Sequence, residues 1–137
     1  MSAAEKRTGR LILGRDMRRK LLLLLAAAST GAFVARADGH AFLDHAAPAV
    51  GSTVHASPPE IRLRFSQALE PAFCTVKVLD RAGQAVNAGD TAADASDRRL
   101  LRTPLQSLPP GTYRVVWRVL SVDTHVTEGD FTFDVAP

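Results

Sequence analysis

From Glu60 to Phe65 apolar and polar residues alternate without a break, Ile61, Leu63 and Phe65 on one side and Arg62 and Arg64 on the other. This is the period-two signature of a half-buried strand. The alternation returns from Thr112 to Leu120, where Tyr113, Val115, Trp117 and Val119 share a face, and from Asp130 to Val135, where Phe131, Phe133 and Val135 do. Shorter strands are expected at Ala41 to Leu43, Cys74 to Leu79 and Leu100 to Thr103. Pro48 and Gly51, Asp80-Arg81-Ala82-Gly83 and Pro109-Pro110-Gly111 punctuate them, and Gly129 is expected to open the final strand. The polar, Ala- and Asp-rich stretch from Asn87 to Arg98 reads as a long loop. Six or seven short strands with no amphipathic helix among them predict an all-β antiparallel sandwich of immunoglobulin-like type.

The first 39 residues follow a different pattern. Arg18-Arg19-Lys20 precedes an apolar run of 14 residues from Leu21 to Val34, and Ala35-Arg36-Ala37-Asp38-Gly39 offers small residues for cleavage. These are the three parts of a secretory leader, and the run is short of the ~20 residues that span a bilayer. The expected division is therefore a signal peptide over 1–39 and one domain over 40–137. Met17 opens a leader of ordinary length, which makes residues 1–16 an over-extended start. Export would place the domain in an oxidising compartment.

Removing the leader changes the electrostatics. The whole chain is formally +3, but from His40 onward it holds nine basic and eleven acidic residues, a formal −2. Nothing in that balance favours nucleic acid or an anionic membrane as partner. Cys74 is the single cysteine, so no internal disulfide forms even in an oxidising compartment, and its apolar neighbours mark it as a small buried hydrophobe.

The candidate chemistry lies where the longest alternating run leaves the core. Continuing the parity of Val115, Trp117 and Val119 brings Ser121, Asp123 and His125 to the same side, with Asp123 and His125 roughly 6–7 Å apart at their Cα atoms. A carboxylate and an imidazole so placed can share a metal ion, but they lack the rest of a coordination sphere. Cleavage after Gly39 would supply it, because the α-amine and Nδ1 of an N-terminal His40 chelate one ion. With His125 and Asp123 they make three nitrogens and one oxygen, a tetragonal set that suits Cu(II), with zinc as second choice. Cleavage after Ala37 stays open, and would leave Asp38-Gly39-His40, a tripeptide that binds Cu(II) unaided. His45 and His55 are expected to be loop or strand histidines without a metal role.

His40-Ala41-x-Leu43 with Pro48-Ala49-x-Gly51, then Ile61-x-Leu63-x-Phe65-Ser66, then the run from Gly111-Thr112-Tyr113 through Trp117-Arg118-Val119-x-Ser121-x-Asp123-x-His125 to Gly129 and Phe133, resemble the CopC family of periplasmic copper-resistance proteins. The resemblance implies a Greek-key β-sandwich and Cu(II) bound by the N-terminal His, with an Asp and a His at positions 123 and 125. It also implies a role in copper tolerance or supply beside an inner-membrane partner of the CopD type. Two departures stand out. Gln67 occupies a position where some members carry a copper-proximal Glu, and no methionine follows Met17, which removes the thioether Cu(I) site of other members. One Cu(II) per chain is therefore expected, and no enzymatic activity. A histidine-brace copper oxidase and a metal-free structural sandwich are the competing classes on the residues alone.

Overall fold

The computed structural model describes residues 40–137. The predicted leader, its start and its cleavage points lie outside the described residues. Two four-stranded sheets face each other. The first has the order β1-β3-β6-β5, formed by Leu43–Ala47, Glu60–Phe65, Leu100–Pro104 and Ala92–Ala93; the second has the order β2-β8-β7-β4, formed by Thr53–Val54, Val126–Val135, Gly111–Leu120 and Thr75–Leu79. All pairings are antiparallel except the short β2–β8 pair. This is the predicted β-sandwich, with two strands of two residues that carry too little pattern to be seen in the sequence.

The alternation does what its period requires. Ile61, Leu63 and Phe65 of the first sheet meet Val115, Val119 and Phe133 of the second, all at 1% exposure or less. Trp117 sets its ring edge-on to Phe65, with centroids 5.1 Å apart, and Tyr113 stacks on Phe133 while its hydroxyl donates to Pro109 O at 2.6 Å. Outward positions carry cross-strand pairs such as Arg118 with Glu128 at 2.8 Å and Arg114 with Asp130 at 2.9 Å. Exposed pairs of this kind contribute little, so the buried faces hold the sandwich together.

Three expectations are corrected. The first strand is Leu43–Ala47 rather than residues 41–43, because the chain ahead of Leu43 is held by single bonds from Ser66 and Thr127 rather than by a strand ladder. The stretch 87–98 is not all loop: Ala92–Ala93 pairs with β6, and the Asn87 amide accepts from Val78 N and donates to Val76 O, both at 2.9 Å, covering the outer edge of β4. Such capping of an edge strand discourages pairing with another chain. Finally β8 begins at Val126, not after Gly129. Gly129 sits mid-strand opposite Trp117, and a Cβ there would lie 2.4 Å from Trp117 Cζ2.

Gly129→Ala should therefore destabilise the domain by about 1–3 kcal/mol through overpacking against the indole, measured by urea unfolding; equal stability would show that Trp117 moves aside freely.

Candidate metal centre

The β7–β8 hairpin pairs continuously from Gly111 with Val135 to Leu120 with Val126, and five residues, Ser121 to His125, close it. The expectation that Asp123 and His125 extend the strand is corrected, since the strand stops at Leu120 and they belong to the turn. Inside it Ser121 N donates to His125 O at 3.0 Å and Thr124 N to Ser121 O at 2.9 Å. Thr124 takes a φ of 71°, a left-handed conformation that costs a β-branched residue of order 1–3 kcal/mol and needs support from its surroundings. Support comes from the segment after β3: Val122 N donates to Ala68 O at 3.0 Å and Glu70 N to Leu120 O at 2.9 Å.

The turn rather than strand parity brings the pair together, with His125 Nδ1 3.3 Å from Asp123 Oδ1. The Ser121 hydroxyl donates to the same Oδ1. That hydrogen bond is the main reason the Asp123 carboxyl titrates below the ordinary carboxylate range; partial desolvation opposes it and His125 adds to the lowering.

His40 reaches this turn from the other end of the domain. Ala41 is fully buried, and its carbonyl accepts from Thr127 Oγ1 of β8 at 2.8 Å. Ser66, just past β3, accepts from Phe42 N at 3.0 Å through its hydroxyl, donates that hydroxyl to His40 O at a long 3.4 Å, and sends its own N–H to Phe42 O at 2.9 Å. Both sheets thus grip residues 40–42, and the His40 ring comes to rest 4.9 Å from that of His125, centroid to centroid, and 6.2 Å from exposed Phe42. Two imidazoles and a carboxylate at one rim can share an ion or a proton. Among the described residues, however, no group of three or more His, Cys, Asp or Glu side chains is already gathered around one point.

The remaining candidates lie apart. His45 is exposed on β1, in a cleft of about 230 Å³ with Arg62 and Arg64, and His55 is exposed beyond β2. Cys74 is 7% exposed, its thiol pushed up by burial and directed at the carbonyls of Glu70 and Leu120. Ser66, Ser121 and Thr127 carry no assigned role in the sequence-based reading, although Ser121 shares the predicted face of Asp123 and His125. Their only signal was a hydroxyl residue at or near the end of an otherwise apolar strand face.

A model of the CopC domain matches residues 43–136. The chain is 36% identical over 118 residues to Protein YobA of Escherichia coli strain K12, covering 85% of this chain and 95% of that protein. Among solved structures, CopC from Methylosinus trichosporium OB3b is 38% identical with a TM-score of 0.68, covering 72% of this chain and 95% of that one. PcoC, a methionine-rich copper resistance protein from Escherichia coli, is 34% identical with a TM-score of 0.62, covering 70% and 98%.

The depressed carboxyl of Asp123 fixes a sign. Its ionised form contributes stability above the unfolded pKa of about 3.9, and the contribution is lost as pH falls through the lower folded value. Asp123→Asn in metal-free protein should flatten the acid limb of the stability profile below about pH 4, read by urea unfolding at successive pH values; an unchanged limb would contradict this assignment.

Proposed function

The chain belongs to the CopC family, and from that premise we propose that it is a periplasmic Cu(II) carrier or buffer in copper resistance or homeostasis. In this reading residues 1–39 are a signal peptide whose removal makes His40 the first residue of a copper-binding domain over 40–137. One Cu(II) per chain is the cargo, held by the α-amine and imidazole of His40, the His125 imidazole and the Asp123 carboxylate.

The observation that carries the proposal is the approach of the two histidine rings. An ion bound at about 2 Å to one nitrogen of each ring lies about 3.2 Å from each centroid. Rings sharing an ion in adjacent positions are then roughly 4.5 Å apart, and in opposite positions roughly 6.4 Å. The 4.9 Å between His40 and His125 falls within that interval. Donors of this kind, nitrogen-rich with one carboxylate, favour Cu(II) over harder divalent ions. The third nitrogen is an amide until the leader is removed.

The leader finds further support in the match to Protein YobA, which spans 118 residues and so must reach ahead of His40. Without a methionine after Met17 the chain has no thioether ligands for a second, Cu(I) site, in contrast to the methionine-rich PcoC. A CopD-type inner-membrane protein is the proposed partner, and no helix among the described residues is long and apolar enough to cross a membrane itself.

The test starts with the exported protein. Intact mass should place His40 first, titration with Cu(II) should saturate at one equivalent with a weak visible d–d band, and His125→Ala should weaken binding by about 100-fold, about 2.8 kcal/mol. One extra residue ahead of His40 should do at least as much damage, since it removes the amine chelate. Affinity unmoved by that extension would overturn the proposed site, and oxidised glycan formed with copper, reductant and peroxide would favour an enzyme instead.

A further inference from the structure

The outer face of the first sheet carries more guanidinium than carboxylate. Arg62 and Arg64 alternate with buried Leu63 on β3, so both side chains leave on the outward side, their Cα atoms roughly 6–7 Å apart. Across the strands, His45 of β1 lies opposite Arg64, and Arg102 of β6 lies opposite Arg62. Like charges directly opposite one another destabilise a sheet, so the Arg62–Arg102 pair calls for a counter-charge.

The carboxylates on this face are largely committed elsewhere. Arg102 takes both oxygens of Glu60, at 2.9 and 3.1 Å, and one of Asp94 at 3.2 Å. Arg62 is left with Nε 3.8 Å from Glu60 Oε1, beyond hydrogen-bond distance. Asp97 is divided between Arg64 at 3.2 Å and Arg99 at 3.5 Å, and its Oδ1 also accepts from Arg99 N at 3.0 Å. Glu60, Asp94 and Asp97 thus serve Arg62, Arg64, Arg99 and Arg102, three carboxylates for four guanidinium groups. Arg62 is the cation in excess, on a domain whose formal charge is −2.

Space accompanies the charge. His45, Ala47, Arg62, Arg64 and Leu100 line a cleft of about 230 Å³. Ala47, opposite Arg62, is too short to fill it, and Leu100, opposite Arg64, gives it an apolar wall. Asp44, at the irregularity in β1, is not among the lining residues. Two guanidinium groups and an imidazole approaching from different strands suit an acceptor whose oxygens spread in three dimensions. A phosphate has that shape, and charge-assisted bonds from arginine are among the strongest it can accept.

We propose that this cleft binds a small phosphate, inorganic phosphate or a phosphate monoester, with Arg62 as the principal donor, Arg64 as the second and the His45 ring as the third. The cleft shares no residue with the candidate metal centre, so it stands or falls independently of the copper reading.

Metal-free protein titrated with inorganic phosphate, at an ionic strength held constant with sodium chloride, supplies the test. Backbone amide shifts at Ala47, Arg62 and Arg64 should saturate with a Kd of about 1 mM, in keeping with a few charge-assisted bonds at an open cleft. Saturating phosphate should also raise the thermal midpoint, because it binds the folded form. Arg62→Gln should weaken binding at least 10-fold, about 1.4 kcal/mol. Arg118→Gln, which removes a paired arginine from the other sheet, should leave it unchanged, and thermal unfolding without phosphate checks that both variants fold. Sedimentation with phosphatidylglycerol vesicles separates the two sources of phosphate: the wild type should stay in solution, and retention that Arg62→Gln abolishes would overturn the free anion in favour of a lipid headgroup. Shifts that grow without saturating, that chloride reproduces, or that survive Arg62→Gln overturn the site.

Discussion

Everything at the histidine end depends on the register of one hairpin. Ten successive pairs join β7 to β8, from Gly111 with Val135 to Leu120 with Val126. Because side chains alternate with a period of two, a slip of one residue would turn the inward residues of one strand out of the core at once, either Val115, Trp117 and Val119 of β7 or Phe131 and Phe133 of β8. That penalty over a long hairpin pins the turn more firmly than any local contact within it. Gly129 adds a steric check, since only a residue without a side chain lets the Trp117 ring lie across the opposite strand. The turn from Ser121 to His125 therefore inherits a fixed origin from the core, and a strained Thr124 can persist there.

A hairpin alone supplies half of the candidate site. The other half arrives from about 80 residues earlier in the chain, and no regular strand delivers it, because β1 starts only at Leu43. Two residues do the work, Ser66 just past β3 through its hydroxyl and its N–H, and Thr127 of β8 through its hydroxyl, on either side of a buried Ala41. Contacts to both sheets make the position of His40 report on sandwich assembly itself: the two rings approach only when the layers are packed. Exposed ion pairs elsewhere, such as Arg102 with Glu60 and Asp94, are screened and weakly coupled to this arrangement.

The sequence was legible where pattern length exceeded noise. β3, β7 and the end of β8 announce themselves through unbroken alternation, and Asp123, His125 and His40 through residue type. Two-residue strands at Thr53–Val54 and Ala92–Ala93 contain a single alternation each and could not be read. Gly129 misled for a physical reason: an isolated glycine near a strand signals a boundary or a close approach, and here it is the close approach, to an indole that the one-dimensional pattern cannot place. Extending strand parity through Asp123 to His125 singled out two residues that the turn, not the strand, brings together. The parity rule holds only while the chain is extended, and a φ of 71° at Thr124 ends it. The supporting hydroxyls were hidden because Ser and Thr at strand ends are common and only their partners give them meaning.

The anchoring of residues 40–42 also explains how a site can depend on cleavage while the fold does not. Its hydrogen bonds use the carbonyls of His40 and Ala41 and both backbone groups of Phe42. None of those bonds engages the nitrogen of His40. Converting that nitrogen from amide to amine, as the proposed cleavage would, removes no anchor and adds a strong ligand at a position the sandwich has already fixed. Pre-organisation of this kind lowers the ordering cost that a free chain end would otherwise bring to metal binding. An amide nitrogen resists deprotonation far more than an ammonium group, so the uncleaved chain would offer the same two rings with one donor fewer. In the proposed reading a precursor would hold its histidines already side by side and would gain its full affinity for copper only on processing.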